Sequence, residues 1–217
     1  MKRTITYIFL IILFFVTSPF AQSDYKIELN GGRITSAIQS ALLPYWDTGW
    51  SLGFTASKKL SKDIELTSSF SYQNFKFQKA LVIFPPNIDP PGLLREISGG
   101  ENSNVYNFSL GVRITSSTKR LTNFFSFSGG IQYINQGEIF ITRDYNNIIA
   151  GNFLPISNTS LYNSSNRNYL MGIVSIGAGL TFKIISKINL ILEGKLISTL
   201  KDFTTYPNIS TGIQYSF

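Results

Sequence analysis

Leu170-Met171-Gly172-Ile173-Val174-Ser175-Ile176-Gly177-Ala178-Gly179-Leu180-Thr181-Phe182-Lys183 is the stretch from which the rest of the chain can be read. Every second residue from Leu170 is apolar or glycine: Leu170, Gly172, Val174, Ile176, Ala178, Leu180 and Phe182. The intervening set ends in Ser175, Gly177, Gly179, Thr181 and Lys183. Successive side chains of a strand face opposite sides, so one face here is oily and the other small or polar. Seven more stretches repeat the pattern. Tyr25, Ile27 and Leu29 oppose Lys26, Glu28 and Asn30, and Trp50, Leu52, Phe54 and Ala56 oppose Ser51, Gly53, Thr55 and Ser57. Further strands follow around Leu66, Leu110, Phe127, Leu192 and Ile213, which predicts eight in all.

Alternation alone does not name the solvent; the second face does. A soluble barrel packs bulky residues inside and puts charges outside. Here the bulky, aromatic-rich set is opposed by Ser, Thr, Gly, Asn and a few charges, a set that fits a narrow lumen. Strands of about ten residues with an apolar outer and a polar inner face are the mark of transmembrane barrels. Such a sheet must close, because an open edge in lipid leaves backbone groups unpaired at several kcal/mol each. The reading is an all-β fold: an eight-stranded antiparallel up-and-down transmembrane β-barrel.

Composition agrees. Of 217 residues, 14% are charged and 43% hydrophobic, with 14% aromatic; soluble domains typically carry about 25% charged residues. The net charge of +7 is spread along the chain or gathered in short turns, with no basic stripe, so nucleic acid is not an expected partner. With no cysteine and no histidine, the chain has no disulfide, no thiol nucleophile, no His-based triad and no His-ligated zinc. No enzyme activity, cofactor or metal is expected.

The first 21 residues read as an address. Lys2 and Arg3 precede the apolar run 5–16, and Thr17-Ser18-Pro19-Phe20-Ala21 supplies small and helix-breaking residues. That is the order of a secretory signal peptide, with Ala21 last before cleavage. The run is shorter than the ~20 residues an anchor needs. The domain division is therefore signal peptide 1–21 and barrel 22–217.

Connections alternate in length. Short ones at 58–63, 116–122 and 183–187 each combine bases with a Leu or Ile followed by Ser or Thr, a weak internal repeat. Long polar or Pro-rich stretches fill 31–47, 80–104 and 137–167, with a shorter one at 201–207. Since bacterial outer-membrane barrels keep short turns periplasmic and long loops outside, both termini are expected in the periplasm. Tyr45, Trp46 and Trp50 cluster where a strand should meet the headgroups, a favoured place for amphipathic rings.

On the strand pattern and the ending Ile213-Gln214-Tyr215-Ser216-Phe217, the mature chain resembles the family of small bacterial outer-membrane barrels that includes outer-membrane protein A and the PorT-like barrels. That resemblance implies that Ile213, Tyr215 and Phe217 serve as the signal read by the barrel-assembly machinery. Likeness to PorT-like barrels also implies an alternative role, as a component of an export or assembly complex.

Eight strands enclose a space just wide enough for side chains. The inward set includes Lys26, Glu28, Glu65, Arg113, Glu193 and Lys195, three acids against three bases. They are expected to form an ionic network that plugs the lower and middle lumen, with Glu65 and Arg113 as the leading pair. A gated ion path through the same residues is the rival. The expected function is structural or interactive, in outer-membrane lipid, with extracellular loops offered to a ligand or secretion partner. Leu81-Val82-Ile83-Phe84-Pro85-Pro86 and Pro90-Pro91-Gly92-Leu93-Leu94 are apolar for a water-exposed loop and mark either a contact site, strands continued above the membrane or a fold over the mouth.

Overall fold

A computed structural model describes residues 25–35, 46–78, 93–137, 139–145, 168–201 and 204–217, with backbone only for 93–98 and 139–145. The expected signal peptide, Tyr45 and the apolar loop 81–86 lie outside these residues.

Ten strands are present among the described residues: β1 (Tyr25–Ile34), β2 (Trp46–Lys59), β3 (Ile64–Phe77), β4 (Leu93–Gly100), β5 (Ser103–Ser117), β6 (Leu121–Asn135), β7 (Ile139–Tyr145), β8 (Asn168–Lys183), β9 (Ile188–Thr199) and β10 (Thr205–Ser216). Eight of them, all but β4 and β7, close into one antiparallel barrel in which each pairs with the next along the chain and β10 returns to β1. The closing rungs run from Lys26↔Ser216 to Ile34↔Asn208. This is the predicted meander. No helix among the described residues is long and apolar enough to cross a membrane.

The repeated short connections share a backbone solution. Leu60 and Ser61 both donate their N–H to the Ile64 carbonyl, at 2.9 and 3.2 Å. Ile184 and Ile185 do the same to Ile188, at 3.0 and 3.1 Å. In the turn between β5 and β6, the Thr118 N–H and hydroxyl both donate to the Leu121 carbonyl.

The two extra strands lie in stretches read from the sequence as loop. β4 pairs only with β7, and the register continues that of the β5–β6 ladder. Asn104 faces Asn135, and four residues before the one and four after the other Gly100 faces Ile139. The ribbon is an extension of that hairpin, with a bulge between Ile97 and Gly99. Its sequence lacks long clean alternation, so neighbouring rungs rather than local pattern define it.

Side-chain placement is inside-out relative to a soluble domain. Leu110, Phe127, Ile176 and Leu192 are all about half exposed, while Glu28, Glu65, Arg113, Gln132 and Gln214 are buried. Phe54 and Val174 sit on the outer face, half-buried between neighbours. Only hydrocarbon satisfies an exterior of this kind. The strands are longer than predicted: β8 has 16 residues, which at about 3.3 Å each and a tilt near 40° rises roughly 40 Å, past the ~25 Å apolar band. Part of the wall therefore lies outside that band.

Candidate functional site: a lumen closed twice

The inward residues near the short turns carry charge. Arg113, on β5, reaches across the lumen to both carboxylate oxygens of Glu28 on β1, with the Nη2–Oε2 contact at 3.1 Å. Gln214 Nε2 donates to Glu28 Oε1 at 2.6 Å. The Arg113 guanidinium lies over the Phe124 ring, 4.2 Å from its centroid. Gly179 makes room for that ring, since a Cβ there would stand 2.3 Å from Phe124 Cζ. Lys26 pairs with Glu65, and Lys195 Nζ lies 3.5 Å from Glu193 Oε2.

All six charges expected in the lumen are thus placed there, yet one expected pairing is not made. Glu65 and Arg113 are facing residues on adjacent strands, but each bonds to β1 instead. The physical reason is geometric: Glu65 and Arg113 leave the wall side by side, whereas β1 lies two strands round the barrel from β3 and three from β5. Lys26 and Glu28 therefore enter the lumen at an angle to them and meet their long side chains head to head. Glu65 and Glu193 each have their own lysine, which offsets the cost of burying a carboxylate.

The opposite end of the lumen differs. Ile34, Trp46, Phe75, Val105, Ile134, Met171, Ile173, Ile197 and Tyr206 form one buried apolar cluster, with Phe77 and Tyr169 packed against it. Trp46 is 0% exposed and donates its indole N–H to the Glu101 carbonyl at 2.8 Å. Its ring meets Phe77 edge-on, with centroids 6.1 Å apart. This corrects the expectation that Trp46 sits at the headgroups. A register shift between Trp46 and Gly49 turns the residue inward, and Gly49 is needed there, because a Cβ would come 1.8 Å from the Asn74 carbonyl oxygen. Within the cluster the Tyr206 hydroxyl donates to Gln73 Oε1 at 3.2 Å and accepts from Gln132. Gln132 also donates to Asn107 at 2.8 Å.

The sequence reading missed this second closure, although a signal for it was present. Phe75, Val105, Ile134, Met171, Ile173, Ile197 and Tyr206 all fall on the phase that is otherwise Ser, Thr, Gly or charge. These breaks in the alternation all lie toward the same end of their strands. Between the two closures remains a chamber of about 40 Å³ of mixed character, lined by residues including Asn30, Thr55, Asn107, Lys195, Ile173 and Ile197. At ~10–15 Å³ for each water, it has room for a few waters.

On the outer face, Trp50 is 47% exposed. It begins a row that continues through Tyr72, Tyr106 and Tyr133 on successive strands, with centroids 5.2, 5.2 and 6.2 Å apart. The three tyrosines were not singled out from sequence. At the other end Ile213 and Tyr215 share the outer face of β10, Phe217 follows the strand, and the rings of Tyr215 and Phe217 meet edge-on at 5.1 Å.

Comparison with known proteins shows the architecture. Neisserial surface protein A superposes over 89% of this chain and 96% of its own, with a TM-score of 0.50 and 10% identity. The N-terminal β-barrel domain of Pseudomonas aeruginosa OprF covers 90% of this chain and 98% of its own, with 14% identity and a TM-score of 0.47. Ail, the attachment invasion locus protein of Yersinia pestis, covers 90% and 97%, with 11% identity and a TM-score of 0.47. At these identities the likeness is one of fold. No protein-family model and no curated protein matches the sequence.

Proposed function

We propose that the chain is a non-enzymatic outer-membrane barrel that conducts nothing and acts through what it presents at its long-loop end. Short turns and both termini are periplasmic, residues 1–21 direct export, and Ile213, Tyr215 and Phe217 present the assembly signal. One observation carries this reading. The β4–β7 ribbon prolongs the β5–β6 hairpin in register, and both of its edges are unpaired among the described residues. A two-stranded ribbon is marginal in water alone, and an open edge is a template for a partner's extended segment.

The test places a photocrosslinking residue at Thr142 in cells that export the full chain. A partner captured there, and lost when 93–100 and 139–145 are replaced by a short turn, supports the reading. Capture that survives ribbon removal overturns it. Co-purification with secretion proteins assigns the chain to an export complex. Migration of the folded and heated forms in detergent gels checks that the shortened barrel still closes.

A further inference from the structure

Three basic residues occupy the outward phase of the described barrel strands: Arg33, Lys58 and Lys76. Lys58 lies at the short-turn end, its ammonium 5.5 Å from the Tyr25 ring centroid. Lys76 is next to the last residue of β3, near the opposite rim. Arg33 differs from both. It faces Trp50 on β2 and Ile209 on β10, residues that are 47% and 63% exposed. It is itself exposed, it follows the outward Leu29 and Gly31, and it makes no ion pair among the described residues. Since Trp50 starts the aromatic row, Arg33 stands at the level of that row.

A guanidinium at the edge of hydrocarbon needs a counter-charge or water. Aromatic rows of this kind mark headgroup depth, where lipid phosphates lie. The planar fork of arginine matches two phosphate oxygens at once, and a neighbouring indole, apolar in body with one N–H, suits the same boundary. We propose that Arg33 and Trp50 form a binding site for the phosphate of a membrane lipid headgroup. The site lies on the outer wall and goes beyond the proposed role of the ribbon, so neither reading falls with the other.

Native mass spectrometry of the mature chain in mild detergent, titrated with phosphatidylglycerol, tests the proposal. The expected result is one retained lipid, held about tenfold more weakly after Arg33→Gln, with an intermediate effect of Arg33→Lys. Lys62→Gln, which removes the same charge from a short turn, should change nothing. Phosphate-free digalactosyldiacylglycerol should not be retained, and excess inorganic phosphate should not displace the lipid. Equal retention by Arg33→Gln, equal retention of the galactolipid, or displacement by inorganic phosphate overturns the site. A second readout leaves Arg33 in place. The chain has two tryptophans, so Trp46→Phe leaves Trp50 as the single reporter. A saturable change in its emission with phosphatidylglycerol supports the site, and a response identical to the galactolipid's refutes it.

Discussion

The two ends of the lumen are built on the inward faces of the same strands, yet they are closed by opposite physics. Near the short turns, Arg113, Glu28 and their neighbours fill the lumen with charges paired to opposite charges. Near the long loops, Trp46, Phe75 and Ile134 fill it with apolar surface and a small phenol–amide network. A charged closure depends on pairing, because removal of one member strands its partner in a dry site. An apolar closure depends on volume, and its loss leaves a cavity rather than a bare charge. Two unlike closures in series predict that no single kind of damage opens the barrel.

The largest expected effect breaks both at once. Arg113→Ala combined with Phe75→Ala should conduct in planar bilayers, whereas the unaltered chain and each single variant stay silent. Steady conductance in either single variant would show that one closure alone was holding.

The next effect sharpens the contrast in stability. Arg113→Ala leaves the Glu28 carboxylate, 0% exposed, without its cation and should cost about 3–5 kcal/mol, read as a lower urea midpoint for unfolding from lipid vesicles. Replacing Arg113 and Glu28 together by Met and Gln should recover most of that loss, since paired removal strands nothing. Failure to recover would mean that Arg113 acts mainly by packing on Phe124.

At the other end the response should follow volume alone. Phe75→Ala should cost about 3–5 kcal/mol and Ile197→Val only ~0.5–1.5, in the same unfolding measurement and with no rescue by second-site charge changes. A larger loss from Ile197→Val than from Phe75→Ala would contradict a volume-limited closure.

Much of this was legible before any coordinates. Alternation such as Leu170 to Phe182 specifies strands through a period of two, and the polarity of the opposing set specifies which face meets lipid. Because each short turn reverses a strand and every strand needs two neighbours in lipid, eight strands and a closed meander follow. Trp46 was less legible, because a bulge two residues on shifts its phase and sequence carries no mark of a bulge beyond a glycine at Gly49. The apolar closure was written in the phase breaks of Phe75, Val105 and Met171, but each is unremarkable alone and only their shared height makes a plug.

Apart from Trp46, whose phase a bulge reverses, the sequence by itself determined which barrel residues face inward, because strand geometry alternates without regard to the rest of the chain. Only the tertiary structure decided who meets whom inside. When the sheet closes, its tilt and stagger set the depth of each inward residue and bring the far wall within reach of a long side chain. That is why Arg113 bonds across the axis to Glu28 and not to Glu65, its neighbour along the wall.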